Sequence, residues 1–329
     1  MTHIAILGAG KIARSMAATL RGMRERGEPV SLYAVASRDL ARAQKFAQEE
    51  GFSRAYGSYE ELVRDPAVSL VYIATPHSHH LEHMKLAIAH GRHVLCEKAF
   101  TANAAQAQEA IALGREKGVL VAEAIWTRYM PSRTILRELI DGGAIGTPQM
   151  LSASLFYPIE HIDRLRLPEL AGGALLDVGV YPLNFASMMF GNDFTRIESS
   201  VQLMDTGVDR LETFTLHYAD GRVAMLSAGT SCRGDRRCVV SGTKGFLTVD
   251  NVNNPTHIEL FRAEDGFAQP EVIPLPEQIT GYEYEVRSCL RAIEAGATEC
   301  PEMPHEETLS ILRIMDGLRA QWGVRYPFE

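Results

Sequence analysis

The sequence predicts an α/β fold class, with a doubly wound parallel sheet in the first half of the chain and an α+β second half built on a mixed or antiparallel sheet. The length of 329 residues is enough for about two domains. In the first half, short apolar runs alternate with stretches of helical spacing, as in successive βαβ units. In the second half, runs of alternating polarity follow one another across tight turns.

The first strand is predicted at 3–7, and a glycine-rich turn and a helix follow it. Further strands are predicted at 31–36, 69–74, 93–96 and 119–122. Side chains suited to cap a helix start, and glycines suited to end a helix, stand between them: Asp39, Ser58 and Asn103, then Gly51, Gly91 and Gly118. Strands that alternate with helices in this way predict a parallel, doubly wound sheet.

The second half carries runs rich in Val, Leu, Phe and Thr. They predict strands at 149–157, 197–204, 213–218, 223–228, 238–241, 246–249 and 258–261. A short helix is predicted to end at Ile140, and two longer helices are predicted at about 282–295 and 306–321. The pattern changes near 122–126, which divides the chain into a domain at 1–122 and a second domain at 123–329.

Composition excludes several classes of protein. A hydrophobic fraction of 46 % and a charged fraction of 22 % exclude disorder, collagen and coiled coil as the main structure. Lys and Arg number 33 and Asp and Glu 41, a net charge of −8, so we expect no nucleic-acid or membrane partner. The five cysteines form no CxxC pair, and we find neither a signal peptide nor a membrane-spanning run. These features favour a cytoplasmic protein with reduced thiols.

The motif Gly8-x-Gly10-x-x-Ala13 follows the first strand and opens the first helix. Gly8 permits the tight turn, Gly10 lets the backbone approach a pyrophosphate, and Ala13 allows close helix–strand packing. Lys11 and Ile12 begin the helix, whose N-terminus supplies N–H donors. This context predicts a dinucleotide site rather than a glycine turn without a ligand.

The end of the second strand indicates which dinucleotide is bound. An NAD site has an acidic side chain there for the ribose 2′-hydroxyl. This chain has Ser37 and Arg38, which suit a 2′-phosphate, while Asp39 is better placed as a helix cap. We expect NADP(H) rather than NAD(H), with dual use left open; the alternative is that Arg38 is only a surface residue.

Longer motifs carry a family resemblance. The segments 75–80 (TPHSHH) and 93–99 (HVLCEKA) resemble signatures of the Gfo/Idh/MocA oxidoreductase family. The segments 123–131 (EAIWTRYMP) and 172–181 (GGALLDVGVY) are similar to a narrower branch, the dimeric dihydrodiol dehydrogenases, which also act as NADP-dependent D-xylose dehydrogenases. The turn at 240–245 (VSGTKG) is similar to another family signature. The resemblance implies an NADP-binding Rossmann domain and a substrate-binding domain whose large open sheet forms a homodimer or higher homo-oligomer.

Three residues are candidates for the chemistry. Lys98 lies just past the strand predicted at 93–96, at the sheet edge where doubly wound folds bind ligands, and the resemblance makes it catalytic. Tyr181 stands where many family members have histidine, and in the dihydrodiol branch this tyrosine is the general acid/base candidate. Asp177 would share a helical face with Tyr181 and bind a substrate hydroxyl. Without the resemblance, we would interpret Tyr181 as a packed core aromatic and Asp177 as a helix cap.

Other residues complete the predicted site. Cofactor contacts are assigned to Thr75, Pro76, His80, Glu97 and Lys98. Trp126 and Arg128 are predicted to line the substrate pocket, and interdomain packing is the alternative for Trp126. A charged segment at 158–170 could cover the cleft as a mobile lip.

Two features could mislead. Four histidines, His77, His79, His80 and His83, suggest a metal site. No carboxylate or thiol completes a ligand set, so we expect no metal and interpret the histidines other than His80 as solvated helix-start residues. Ala99 stands where the family has proline, and because a cis bond before a residue other than proline costs about 2.5–4 kcal/mol, we expect a trans bond there.

These observations predict an NADP(H)-dependent dehydrogenase or reductase that acts on CH–OH groups of a cyclic diol or sugar. Tyr181 handles the hydroxyl proton, while Lys98 steadies the oxygen and lowers the pKa of the tyrosine. One alternative is a non-catalytic NADP-binding regulator of the same fold. Another is a sugar or inositol reductase with a different substrate.

Overall fold

The computed structural model describes residues 1–267 and 269–329. These residues form two compact units, one of Met1–Tyr129 with Gln278–Leu312 and one of Met130–Glu277 with Arg313–Glu329. This division differs in two places from the domains expected at 1–122 and 123–329. The first unit extends to Tyr129, and it includes a segment from the C-terminal part of the chain.

The first unit contains a six-stranded parallel sheet. Its strands are β1 (Thr2–Leu7), β2 (Val30–Ala36), β3 (Arg54–Tyr56), β4 (Leu70–Ile73), β5 (His93–Glu97) and β6 (Val121–Ala124). The strand order is β3-β2-β1-β4-β5-β6, which confirms the predicted doubly wound sheet. No apolar run located β3, because this edge strand is three residues long and none of them is buried.

Helices connect these strands. They are α1 (Lys11–Glu25), α2 (Leu40–Glu50), α3 (Tyr59–Arg64), α4 (His80–Ala89) and α5 (Ala104–Lys117). The predicted caps are confirmed, because the side chains of Asp39, Ser58 and Asn103 accept hydrogen bonds from amides in the first turns of their helices. Gly51 and Gly118 end two of the helices in the left-handed conformation.

The second unit is built on an eight-stranded sheet. Its strands are β7 (Pro148–Phe156), β8 (Phe194–Leu203), β9 (Asp209–Tyr218), β10 (Val223–Gly229), β11 (Cys238–Gly242), β12 (Gly245–Val249), β13 (His257–Arg262) and β14 (Glu271–Pro274). The order is β14-β13-β12-β11-β7-β10-β9-β8, and β7 pairs parallel with β10 while the other pairs are antiparallel. The predicted mixed sheet is confirmed.

Three helices accompany this sheet: α6 (Pro131–Asp141), α7 (Asp163–Arg166) and α8 (Val180–Phe190). A single π-helical turn at Leu175–Gly179 leads into α8. Nearly every side chain of α8 is buried. A helix that is apolar on all sides shows no amphipathic period, which explains why the sequence pattern did not predict it.

Two C-terminal helices follow, α9 (Glu283–Glu294) and α10 (His305–Trp322). The first turn of α10 is bonded to β6: the Thr308 hydroxyl donates to Glu123 Oε2 at 2.8 Å, and His305 Nε2 lies 2.8 Å from the Val121 carbonyl oxygen. These buried bonds are the reason that this part of the chain belongs to the first unit.

Candidate active site

The glycine turn after β1 is shaped for close approach. Gly8 has a φ of +103°, and a Cβ there would lie 2.8 Å from the carbonyl oxygen of Ala74. Gly10 precedes α1 in extended conformation without a side-chain cap, and a Cβ at Gly10 would meet nothing within 4 Å. Ala13 is fully buried under the turn. The N-terminus of α1 therefore faces open space, which fits a pyrophosphate.

The position of this turn in the sheet also fits a ligand site. The chain runs outward from β1 to β3 on one side and from β4 to β6 on the other, so β1 and β4 flank the topological switch point. Gly8 and Thr75 follow these two strands at their carboxyl ends. Ligands of doubly wound sheets bind in the crevice at this point.

The contacts after β2 agree with the prediction that Asp39 caps a helix. The carboxylate of Asp39 accepts from the amides of Ala41 at 2.9 Å and Arg42 at 3.4 Å, so the helix cap engages it. Ser37 is buried, while Arg38 is exposed at the strand end. Lys11 and Ile12, also predicted as cofactor contacts, form the start of α1 beside Gly10.

Arg42 contacts the glycine turn, and the sequence analysis did not single it out. Its Nη2 donates to the carbonyl oxygen of Ala9 at 3.0 Å, which places a guanidinium against that turn. Burial raises the pKa of Tyr59, and the charge of Arg38 opposes that rise. Burial lowers the pKa of His79 and of His83, and the charge of Arg38 adds to the lowering of both. The sequence could have indicated Arg42, because it stands four residues after Arg38 in the first turn of the helix that follows β2.

His80 lies inside the first unit and joins two loops. Its Nδ1 lies 2.9 Å from the carbonyl oxygen of Ala99 and 3.2 Å from that of Phe100, and its Nε2 lies 2.8 Å from that of Thr75. Burial lowers the pKa of His80, and the carbonyl contacts oppose this. The ring thus connects the loop after β4 to the loop after β5. Direct contact of His80 with a cofactor stays a prediction.

The expectation of solvated histidines is wrong for two residues. His77 is buried, and His83 Nδ1 lies 2.9 Å from the Thr75 hydroxyl while its ring packs edge-on against Tyr59. Burial lowers the pKa of His83 to about 4, and the neighbouring His79 and His80 contribute. Within residues 1–267 and 269–329, no three His, Cys, Asp or Glu side chains are grouped to hold a metal.

The expectation of a trans bond before Ala99 is also wrong, because the Lys98–Ala99 peptide bond is cis. Ala99 is fully buried, and its carbonyl oxygen is fixed by the ring of His80. Glu97, the residue before Lys98, uses both carboxyl oxygens as acceptors: one accepts from the Tyr72 hydroxyl and the other from the Lys98 amide at 3.2 Å. Glu97 thus supports the loop that carries Lys98.

Three buried carboxyls lie behind this loop. Beside Glu97, Glu123 accepts from the Thr308 hydroxyl, and burial raises the pKa of Glu123 to about 7. Glu285 of α9 is fully buried, and burial together with the charge of Glu97 raises the pKa of its carboxyl well above the usual range. Low dielectric and the nearby charge of Glu97 therefore favour the protonated forms of Glu123 and Glu285.

The residues after β6 have specific partners within the first unit. The Trp126 ring stacks on Tyr282, with centroids 4.2 Å apart and an interplanar angle of 9°. Arg128 Nη2 lies 2.8 Å from Glu307 Oε2, in an ion pair between a buried arginine and a half-buried glutamate. Neither contact tests the prediction that these residues line a substrate pocket.

Asp177 and Tyr181 belong to the second unit. Asp177 lies in the π-helical turn and pairs with Arg164 of α7, at 2.8 Å between Nη1 and Oδ1 and 3.4 Å between Nη2 and Oδ2. Tyr181 lies in the first turn of α8 and is 7 % exposed. The predicted lip at 158–170 contains α7, and Arg164 ties it to the turn before Tyr181.

The parallel sheet, its glycine turn and the open helix N-terminus define a dinucleotide-dependent protein. A family model described as an oxidoreductase family with an NAD-binding Rossmann fold matches residues 2–125, and the GFO/IDH/MocA C-terminal domain model matches residues 134–248. The chain belongs to the Gfo/Idh/MocA oxidoreductase family. This confirms the resemblance and the oxidoreductase class.

Curated relatives cover nearly the whole chain. Trans-1,2-dihydrobenzene-1,2-diol dehydrogenase of Mus musculus is 36 % identical over 328 residues, which span 98 % of this chain and 97 % of the relative. The Danio rerio protein of the same name is 34 % identical over 325 residues with the same coverage. These similarities place the chain near the predicted branch.

Solved structures share the fold. KijD10, a 3-ketoreductase from Actinomadura kijaniata in complex with NADP and TDP-benzene, is 26 % identical with a TM-score of 0.85, and 97 % of each chain is covered. Aldose-aldose oxidoreductase from Caulobacter crescentus is 21 % identical, with a TM-score of 0.86 over 98 % of this chain and 97 % of that one. The second similarity concerns the fold alone.

Proposed function

We propose that the protein is an NADP(H)-dependent oxidoreductase that acts on a carbinol carbon of a cyclic vicinal diol or of a sugar in ring form. The observation that carries this proposal is the 34–36 % identity to dihydrodiol dehydrogenases over 98 % of the chain. The chain also retains the lysine and the tyrosine that the sequence analysis assigned to catalysis.

The cofactor is held by the carboxyl edge of the parallel sheet. Gly8, Gly10 and the first amides of α1 receive the pyrophosphate, and Ser37 with Arg38 receives the 2′-phosphate. Arg42, bonded to the glycine turn, adds a second positive charge near that phosphate. The use of Asp39 Oδ1 as a helix-cap acceptor favours NADP(H) over NAD(H), because an NAD site directs such a carboxylate to the ribose 2′-hydroxyl.

Lys98 and Tyr181 divide the chemistry. When bound, NADP⁺ would take a hydride from the carbinol carbon, and NADPH would supply one to the corresponding carbonyl carbon. The Lys98 ammonium stabilises the negative charge that develops on the substrate oxygen. The Tyr181 phenolate takes the proton of that oxygen in oxidation, and the Tyr181 hydroxyl gives it back in reduction. Burial of Tyr181 shields the proton transfer from bulk water.

A sugar substrate is the second candidate within this proposal. Trp126 stacks on Tyr282 at the end of β6 and is 6 % exposed, and an aromatic edge at this position would suit the apolar face of a ring substrate. The flat diene part of a cyclohexadiene diol would use it more fully than a hydroxylated pyranose. Comparison of the two substrate classes is therefore part of the test.

The test is a panel of NADP⁺ reduction assays with trans-1,2-dihydrobenzene-1,2-diol, D-xylose and other aldoses, and inositols. The parent is compared with Lys98→Met and Tyr181→Phe, and NADPH affinity is titrated for all three. We expect each variant to lose at least a hundredfold in kcat with less than a threefold change in NADPH Kd. Full turnover in either variant would remove that residue from the mechanism. NADPH binding by the parent without turnover on any compound would favour the non-catalytic regulator.

We also propose that the second unit forms a homodimer or higher homo-oligomer through its sheet. Met150 and Met225 are exposed on paired strands, while their neighbours Leu151 and Ala224 point to the buried face. Exposed large apolar side chains on one sheet face are typical of an interface. Light scattering of Met150→Lys/Met225→Lys beside the parent tests this, and a parent that is monomeric would refute it.

We also propose that the protein is located in the cytoplasm. All five cysteines are free thiols, as expected where glutathione keeps proteins reduced. Among the described helices, none combines the length and hydropathy required to cross a bilayer.

A further inference from the structure

Two carboxyls of β9 lie directly beneath the segment that leads to Tyr181. Asp209 and Glu212 are both fully buried within the second unit. Asp209 Oδ2 accepts from the amide of Leu175 at 2.5 Å, at the start of the π-helical turn. A carboxylate from a distant strand therefore caps the turn that no neighbouring side chain caps.

Gly173, just before the π-helical turn, and Gly179, its last residue, lie against the same two carboxyls. Gly173 has a φ of +119°, and a Cβ there would lie 2.3 Å from Asp209 Oδ1. A Cβ at Gly179 would lie 2.7 Å from Glu212 Oε1. Each glycine thus leaves the space that one of the carboxyls fills. The distances identify Glu212 as the support under the end of the turn, two residues before Tyr181.

These carboxyls are costly to bury. Asp209 Oδ1 and both oxygens of Glu212 make no hydrogen bond to any part of the chain that the structure describes. Burial raises the pKa of each carboxyl, and the neighbouring Asp209 adds to the effect on Glu212. An apolar side chain at either position would avoid the desolvation cost. Their position against the turn gives a reason for their presence.

The segment is also held at its start and in its middle. The Tyr326 hydroxyl donates to the carbonyl oxygen of Gly172 at 2.8 Å. Arg164 pairs with Asp177 within the turn. With Asp209 and Glu212 on the sheet side, the backbone from Gly172 to Tyr181 is restrained from three directions.

We propose that Asp209 and Glu212 are positioning residues for Tyr181, with Asp209 anchoring the start of the π-helical turn and Glu212 setting the height of its end. This inference rests on the proposed catalytic role of Tyr181. Neither Asp209 nor Glu212 is proposed to touch the reacting atoms. Both act through the backbone that carries the tyrosine.

A double-mutant cycle tests the role of Glu212. In Gly179→Ala the new Cβ collides with the Glu212 carboxyl, and we expect kcat for NADP⁺ reduction with trans-1,2-dihydrobenzene-1,2-diol to fall at least tenfold. NADPH Kd, measured by fluorescence titration, should change less than twofold. Glu212→Ala, the other single variant of the cycle, removes the support, and its kcat should fall below that of the parent. The same change clears the space for the new methyl group, so Gly179→Ala/Glu212→Ala should recover at least fivefold in kcat over Gly179→Ala alone. Equal kcat in the single and double variants would overturn the role of Glu212.

Hydrogen–deuterium exchange tests Asp209 without any substrate. Asp209→Leu removes the acceptor of the Leu175 amide, and we expect exchange across 172–181 to accelerate at least tenfold. Asp209→Asn keeps an oxygen acceptor and should stay within threefold of the parent in both exchange and kcat. Asp220→Leu, at an exposed turn, is the matched control. Unchanged exchange in Asp209→Leu would overturn the anchoring role.

The same protein set separates the two proposals. Tyr181→Phe with undiminished turnover would refute the proposed function, while accelerated exchange in Asp209→Leu would still establish the anchor. The positioning inference alone would be refuted by a different set of results. Tyr181→Phe would lose turnover, but hydrogen exchange in Asp209→Leu would be unchanged and the effects of Gly179→Ala and Glu212→Ala on kcat would be additive.

Discussion

His80 Nδ1 lies 2.9 Å from the carbonyl oxygen of Ala99, and the same buried ring places Nε2 2.8 Å from the carbonyl oxygen of Thr75. One side chain therefore ties the loop at the cofactor crevice to the loop that carries Lys98. Sequence analysis associated His80 with the cofactor. Its contacts show that it also connects two loops that carry predicted site residues.

His80→Ala should weaken both the fold and the cofactor site. It leaves buried carbonyl oxygens without their partner, which costs on the order of 1–3 kcal/mol in free energy of unfolding. The freed loops should raise NADPH Kd at least fivefold. Urea unfolding and fluorescence titration measure the two effects, with exposed His161→Ala as the control. Parent-like values for both would show that the ring is dispensable.

Arg38→Ala should weaken NADPH binding and leave NADH binding nearly unchanged. Loss of a charge-assisted contact to the 2′-phosphate corresponds to roughly 10- to 100-fold in NADPH Kd. NADH has no such phosphate. Titration of both cofactors, with exposed Arg24→Ala on α1 as the control, gives the comparison. Equal losses for both cofactors would mean that Arg38 does not contact the phosphate.

Arg42→Ala should affect both cofactors, NADPH more strongly. Its guanidinium donates to the Ala9 carbonyl oxygen and so supports the turn that any dinucleotide uses, and its charge adds to that of Arg38 for the phosphate. We expect NADPH Kd to rise about tenfold and NADH Kd about threefold. An effect on NADH as large as that on NADPH would leave Arg42 a purely structural role.

His83 should make stability depend on pH on the acidic side. Burial holds its folded pKa at about 4, below the ordinary value of 6.5, so the fold favours the neutral ring. The stability is fully present above pH 6.5 and is lost as pH falls toward 4. Between these limits the parent should lose roughly 2–3 kcal/mol more than His83→Gln in urea unfolding. Parallel pH curves for the two proteins would contradict this.

Glu123 should make the folded protein less stable as the pH rises, which is opposite to the effect of His83. Burial raises its folded pKa to about 7 from an ordinary 4.5, so the fold favours the protonated carboxyl. The stability is present below pH 4.5 and is lost as pH rises through 7. Glu123→Gln cannot ionise and keeps an oxygen for the Thr308 hydroxyl. Its unfolding free energy relative to the parent should rise by up to about 3 kcal/mol between pH 4.5 and 8. Exposed Glu116→Gln should show no such change.

Local signals predicted much of the first unit. The caps at Asp39, Ser58 and Asn103 depend on amides within three residues, so the sequence contains both partners of each bond. The glycine turn needs only Gly8 and Gly10 after a strand. The sequence did not locate helix α8 or strand β3, because one is apolar on all sides and the other is too short to show a period.

The sequence by itself determined the alternation of strands and helices, the dinucleotide turn, the preference for NADP(H) and the family. These features depend on residues close together in the chain or on contiguous motifs. Tertiary structure alone decided that Arg128 pairs with Glu307, that Asp177 pairs with Arg164, and that Asp209 and Glu212 lie beneath the turn before Tyr181. The physical reason is distance along the chain, since packing of remote segments determines which charges are buried and which partners they meet.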